Sequence, residues 1–156
     1  MAKTTPATLA LHKAGVAFEL HSYDYDPDAT GIGLQAAQAL GADPARVLKT
    51  LMTLVDGRPV CVVLASDREI AMKVLAATLG AKSAQMMRPA DAERLTGYRV
   101  GGLSPFGQKR AAATVIDEAV LAQAQVFVNG GQRGLQMALA TQDLISALGA
   151  QVAKIS

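Results

Sequence analysis

The stretch Arg46-Val47-Leu48-Lys49-Thr50-Leu51-Met52-Thr53-Leu54-Val55-Asp56-Gly57-Arg58-Pro59-Val60-Cys61-Val62-Val63-Leu64-Ala65 decides the fold. Two apolar runs flank Asp-Gly, the dipeptide favoured where a two-residue turn must carry positive φ at both central positions. The pattern predicts a β-hairpin. Its second run is apolar from Val60 to Ala65, so that strand is expected to be buried on both faces, with Cys61 as a small core residue. Lys49 is the anomaly in the first run. Strand side chains alternate, which puts Lys49 on one face with Val47, Leu51 and Thr53. A lysine there either snorkels to solvent from a sheet edge or projects into a cavity that needs a cation.

Toward the N-terminus, Thr5-Pro6 has cap chemistry and Gly15 a stop, which predicts a helix over about 5–14. Phe18 to Tyr23 alternates as a half-buried strand would, with His21 as an exposed strand residue, and Asp24 to Gly33 is turn-rich and acidic. Leu34 to Leu40 predicts a short helix closed by Gly41, followed by Asp43-Pro44. Toward the C-terminus the pattern predicts helices over 70–79 and 89–95, a short strand over 83–87, and strands over 113–116, 125–129 and 135–139. A short helix over 117–122 and a last one over 142–148, capped by Thr141, complete the set, with an edge strand over 151–155. Strands and helices intermingle and hairpins are present, so the sheet cannot be all parallel. The expectation is one α/β domain over residues 1–156, built on a mixed, barrel-like sheet surrounded by helices.

At 156 residues and 51% hydrophobic composition, the chain is long enough to bury roughly 70% of the surface its unfolded form exposes. No run approaches the roughly 20 apolar residues of a membrane span, and no basic-then-apolar leader opens the sequence. A cytoplasmic protein with no membrane partner is expected. One cysteine and two histidines supply neither a disulfide nor a familiar metal-ligand set. A formal charge of +2 with three Phe, three Tyr and no Trp argues against a protein that coats DNA or stacks along single strands. Any nucleic-acid contact should be local.

Two glycine-rich stretches interrupt the pattern. Gly97 to Arg110 holds four glycines, Ser104 and Pro105, and ends in Lys109-Arg110; Asn129-Gly130-Gly131-Gln132-Arg133-Gly134 joins two predicted strands. Glycine lets the backbone approach a ligand closely, so consecutive amides can converge on an anion, a carbonyl or a ribose. Neither stretch is a phosphate-binding loop of the Gly-Lys-[Ser/Thr] type or a dinucleotide fingerprint, so no cofactor is expected. Ser104 sits in no nucleophile elbow, and His12 and His21 are poorly placed for a triad. What remains is a cation, glycine amides and a few hydroxyls, able to position a substrate without a strong nucleophile.

These residues carry a resemblance. Gly97-Tyr98, Val100 to Gly107, Leu48-Lys49-Thr50-Leu51 and Asn129 to Leu135, in this order and together with Thr5-Pro6 and His21-Ser22-Tyr23-Asp24, resemble the YbaK/EbsC family. Its members are small free-standing relatives of the editing domain inserted in bacterial prolyl-tRNA synthetases. The likeness spans nearly the whole chain and is strongest to the YbaK type, which implies a deacylase acting in trans on Cys-tRNA(Pro).

The resemblance implies a mechanism that suits the missing machinery. A pocket sized for proline cannot strongly reject a side chain of similar volume, so a second site must remove the mischarged residue. In the YbaK type the substrate's own thiol attacks its ester carbonyl and expels the tRNA 3′ end. The resemblance assigns Lys49 to the family's essential lysine, anchoring the terminal adenosine and its phosphate or polarising the ester. It assigns Tyr23, Thr50, Gly101, Gly102, Ser104, Asn129, Gly130, Gly131 and Arg133 to substrate binding. The implied partners are the mischarged tRNA 3′ end and, transiently, prolyl-tRNA synthetase, with no DNA. The sequence departs from the family pattern at Asn129, where serine is usual, and at Gln136, where an acid is usual. Other readings are a non-catalytic module binding tRNA ends or a synthetase, and a nucleotide-dependent enzyme, which would need a fingerprint the sequence lacks.

Overall fold

Asp56 and Gly57 have φ of +48° and +79°, the pair of positive values that a tight hairpin turn of the primed type requires. The computed structural model describes residues 4–28 and 31–156. In chain order the elements are α1 (Pro6–Lys13), β1 (Glu19–Ser22), α2 (Ile32–Leu40), β2 (Leu48–Val55), β3 (Arg58–Ala65), α3 (Met72–Thr78), β4 (Ala84–Met86) and α4 (Pro89–Thr96). There follow β5 (Ala113–Asp117), a 3-10 turn (Glu118–Ala122), β6 (Gln125–Asn129), β7 (Leu135–Ala140), α5 (Thr141–Leu148) and β8 (Gln151–Ala153).

The predicted hairpin is β2–β3, running in antiparallel register from Val55 against Arg58 to Leu48 against Ala65. It forms the middle of a five-stranded sheet of order β4-β2-β3-β5-β8, in which β3–β5 and β5–β8 are parallel. A second, antiparallel sheet has order β1-β7-β6. The mixed sheet is as expected. The barrel is not: the two sheets meet at the single parallel bridge Val47–Phe127, and β4 pairs only with Thr53 to Val55 of β2. A barrel needs continuous pairing around its circumference, and here the first half of β2 is left as an edge.

β3 divides the core in the way its uninterrupted apolar run requires. Cys61, Val63 and Ala65 pack on one side with Leu48, Met52, Ile116, Met137, Leu144 and α1 residues Ala7 and Leu11. Val60, Val62 and Leu64 pack on the other with Val55, Val115, Leu75 of α3 and Ile155. Each fully buried Val or Leu contributes roughly 1.5–3 kcal/mol of transfer free energy, so β3 is where the two halves of the domain gain their common support. Cys61 is buried and its thiol is pushed up to about 12 by that burial.

The helix ends follow their sequence signals with one correction. Thr5 caps α1 by accepting from Thr8 N at 3.1 Å, and Thr8 Oγ1 accepts from Thr5 N in return. Thr141 does not cap α5. It is the first helical residue, and its hydroxyl donates outward to the Gln123 carbonyl, fastening the helix start to the preceding turn.

Candidate functional site

Because β4 and the Met87 amide, which donates to the Met52 carbonyl at 3.0 Å, cover only the far end of β2, the edge from Leu48 to Leu51 is open, and a cavity of about 350 Å³ lies against it. Its walls come from five places: Leu48 to Met52 of β2, Gly33 and Leu34 of α2, Met86 to Ala92 across β4 and α4, Val100 to Leu103, and the β6–β7 pair Asn129 and Gln136. Gly33 lets α2 come close, since a Cβ there would sit 2.6 Å from that of Ser66. The lining is mainly apolar with a few polar groups, and its volume suits a small-molecule site of roughly 300–1,000 Å³.

Lys49 enters this cavity from the edge strand, its side chain 22% exposed. Of the two readings the sequence left open, the structure therefore takes both parts: the lysine is at a sheet edge and its stem lines a cavity. Its ammonium lies 3.9 Å from a carboxylate oxygen of Glu69, whose side chain is 95% exposed. Such a long, solvent-screened pair holds the lysine weakly.

Three polar atoms around this wall are buried and have no hydrogen-bond partner among the described residues: Thr50 Oγ1, Gln136 Oε1 and Tyr23 Oη. Thr50 and Gln136 line the cavity, and Gln136 is 3% exposed. A buried polar atom left unpaired costs about 1–3 kcal/mol. Two of them belong to residues of one cavity wall, each oxygen closed to solvent in this conformation, so a ligand group would meet them only by displacing the side chains in front. Tyr23 stands behind Gln136, packed with Ala36, Ala37, Val47 and Phe127. Burial pushes its phenol above the ordinary value, with the nearby Gln136 amide opposing it less strongly.

The two glycine stretches interlock, and Asn129 is the staple. Its Oδ1 accepts from Gly131 N at 2.7 Å and Gln132 N at 3.2 Å, while Nδ2 donates to the Gly101 carbonyl at 3.2 Å. Gly102 makes the close approach possible, because a Cβ there would lie 2.8 Å from Arg133 N. Arg133 donates through Nε to the Val100 carbonyl at 2.9 Å and lies over the Tyr25 ring. Tyr98 donates to the Phe106 carbonyl and fixes the far side of the loop.

The structure thus brings together Lys49, Thr50, Gly101 and Asn129 of the expected site and adds Gln136. It places Gly102, Ser104, Gly130, Gly131 and Arg133 outside the lining, in the scaffold behind it. The amides of Gly102 and Gly130 are bonded to the Arg99 and Leu135 carbonyls, and Ser104, fully buried, accepts from Phe106 N at 3.2 Å. Leu34, Met86 and Val100 form an exposed apolar rim. Sequence reasoning missed this rim, since a lone exposed Leu or Met carries no signal until the fold sets them side by side. Among the described lining residues the hydroxyls are Thr50 and Ser66, and Ser66 Oγ already donates to the Pro44 carbonyl. No side chain there is activated as a nucleophile.

Comparison with known proteins identifies the class. Residues 26–147 match the family described as the aminoacyl-tRNA editing domain, and the chain belongs to that family. More particularly, it is a homologue of the Enterococcus faecalis protein named "Putative Cys-tRNA(Pro)/Cys-tRNA(Cys) deacylase EbsC". The two are 35% identical over 121 residues, 77% of this chain and 74% of that one. A shorter similarity, 32% over 96 residues, reaches the proline–tRNA ligase of Geobacillus thermodenitrificans, covering 62% of this chain and 16% of the ligase. The fold matches the crystal structure described as "a putative trans-editing enzyme for prolyl tRNA synthetase", with a TM-score of 0.83, 22% identity and 99% of each chain covered. Among the described residues no helix is long and apolar enough to cross a membrane.

Proposed function

We propose that this chain, as one domain over residues 1–156, is a deacylase that removes cysteine from Cys-tRNA(Pro) in trans. The observation that carries the proposal is that Lys49, Thr50 and Gln136, the last two with unpartnered buried oxygens, line one largely apolar cavity in which no side chain is activated as a nucleophile. Such a site can hold an aminoacyl ester and leave the chemistry to the substrate.

In that chemistry the substrate thiol sulfur forms a bond to the ester carbonyl carbon. The bond from that carbon to the ribose oxygen breaks, the thiol proton ends on the departing ribose hydroxyl, and a cyclic thioester leaves the site to hydrolyse in water. Lys49 faces the ester region, where an ammonium favours the negative charge developing on oxygen. Gln136 Oε1 accepts from the substrate α-ammonium, and Thr50 holds the neighbouring carbonyl or ribose. Leu34, Met86 and Val100 receive the apolar face of the terminal adenine. The EbsC name supports cysteine as the amino acid, and the similarity to proline–tRNA ligases supports tRNA(Pro) and a transient complex with that synthetase in the cytoplasm.

Purified Cys-tRNA(Pro), Ala-tRNA(Pro) and Pro-tRNA(Pro) test the reading. Accelerated loss of cysteine that Lys49→Ala abolishes is expected, with Pro-tRNA(Pro) spared. Equal rates with and without the protein on all three sink it, and tight binding without ester loss transfers the assignment to a non-catalytic module.

A further inference from the structure

A second recess adjoins the first. It measures about 370 Å³ and is lined by Leu54, Pro59, Met87, Asp91, Arg94, Leu95, Lys109 and Arg110. Met87 belongs to both recesses, so one buried side chain divides them. The same two elements border both: α4 turns Pro89 and Ala92 to the cavity and Asp91, Arg94 and Leu95 to the groove. The following segment gives Val100, Gly101 and Leu103 to the cavity and Lys109 and Arg110 to the groove.

Charge is concentrated here. Residues 88–110 hold five cations and two carboxylates, whereas the whole chain nets only +2, so the remainder is close to neutral. Both carboxylates are engaged. Asp91 pairs with Arg88 and Arg94, and Glu93 accepts from Val100 N. Lys109 and Arg110 have no ion pair among the described residues. Their positions are set by backbone: Lys109 N donates to the Thr96 carbonyl at 2.8 Å and Arg110 N to the Leu95 carbonyl at 3.1 Å. The segment is tied across the end of α4 with its side chains left exposed.

We infer that this groove binds the phosphate backbone of the RNA strand just 5′ of the nucleotide whose ester occupies the cavity. Lys109 and Arg110 contact phosphates, Arg94 lies beside them, and Leu54, Pro59 and Leu95 support the sugar and base. The groove lies just across Met87 from the cavity, within reach of a strand whose 3′ end enters there. Free cations on an otherwise near-neutral chain complement its charge. The inference rests on the proposed function for the identity of the strand, but its test does not depend on ester cleavage.

The probe is a fluorescently labelled RNA hairpin with a short single-stranded 3′ tail that carries no amino acid, compared with the same hairpin made blunt. Lys109→Gln/Arg110→Gln keeps the aliphatic stems while removing both charges. It is expected to weaken binding of the tailed hairpin about tenfold and to lower the slope of log affinity against log salt by about 1.4, at ~0.7 per single-strand phosphate contact. A merely structural role at the end of α4 moves the urea midpoint and leaves that slope alone. Lys13→Gln/Lys154→Gln, which lines neither recess, is expected to change nothing. An unchanged salt slope, an equal loss on tailed and blunt hairpins, or no binding by the unaltered protein at low salt overturns the inference. Lys49→Ala separates the two ideas: it abolishes deacylation in the functional test, while Lys109→Gln/Arg110→Gln added to it still lowers the salt slope by the same further amount in this one.

Discussion

The Asn129 side-chain amide donates to the Gly101 carbonyl at 3.2 Å, while its oxygen holds the amides of Gly131 and Gln132. One side chain thereby joins two loops that lie 28 residues apart in sequence. Gly101 and Asn129 both line the cavity, so the staple sets the cavity's shape as well as the loops' packing.

Asn129→Ala removes three hydrogen bonds at a residue only 7% exposed. Unfolding in urea is expected to show a loss of about 1–3 kcal/mol. Because the cavity wall loosens, KM for the aminoacyl ester should rise more than kcat falls. Asn129→Ser, which shortens the side chain but keeps a hydroxyl acceptor, should recover part of both.

Gln136 is expected to show the opposite signs for stability and activity. Its Oε1 is buried without a partner, so Gln136→Leu removes an uncompensated polar atom and should leave stability unchanged or raise it by up to ~1 kcal/mol. Deacylation should fall at least tenfold, since the ligand ammonium loses its acceptor. A variant that is both less stable and fully active contradicts the assignment. Gln136→Glu, placing a carboxylate there, should tighten binding as the acid ionises with rising pH.

Gly102→Ala tests the interlock. The added Cβ would meet Arg133 N at 2.8 Å and the Gln132 carbonyl carbon at 2.9 Å, both main-chain atoms that cannot rotate away. Overpacking of this kind costs typically ~1–3 kcal/mol, to be read from the urea midpoint. The analogous Gly57→Ala in the hairpin turn has no such neighbour. Its penalty should come from the positive φ alone and leave the cavity intact.

Cys61 should be silent. Burial pushes its thiol up to about 12, so a disulfide reagent at neutral pH is expected to label it only on unfolding. Cys61→Ala should cost stability while keeping deacylation within about twofold, a result that ties any thiol dependence to the substrate.

Asp56 gives the pH test. The main-chain amides of Lys82 and Ser83 donate to it and hold its carboxyl below the ordinary value. A lowered folded-state pKa stabilises the fold above the unfolded value, and that contribution is lost as pH falls through the folded one. Asp56→Asn should therefore melt lower than the unaltered protein near neutral pH, and the gap should close on acidification below roughly 4.

Local signals carried most of the secondary structure. Asp56-Gly57, the Thr5-Pro6 cap, Gly41 and Gly97 mark ends that depend only on neighbouring residues, and each falls where the chain pattern put it. Thr141 misled because its hydroxyl has a better partner in Gln123, remote in sequence. Of the candidate site, the motif residues Lys49, Thr50, Gly101 and Asn129 were legible and do line one cavity. Gln136 was noticed only as a departure from the family pattern, and Met86 and Leu34 were not read as site residues at all, because nothing in their local sequence separates a lining residue from a surface one.

By itself the sequence determined a hairpin with a doubly buried strand, the mixed α/β character, the order of the motifs and the lack of a conventional nucleophile. All of these depend on short-range geometry and residue chemistry. Only the tertiary structure decided that the sheets stay open, that β2 therefore offers an edge, and that Lys49, Thr50 and Gln136 line one cavity there. It also decided which glycines face the cavity and which merely let two backbones touch. Those outcomes depend on where β4 stops pairing and how closely distant loops pack, which are settled by contacts between residues far apart in the chain.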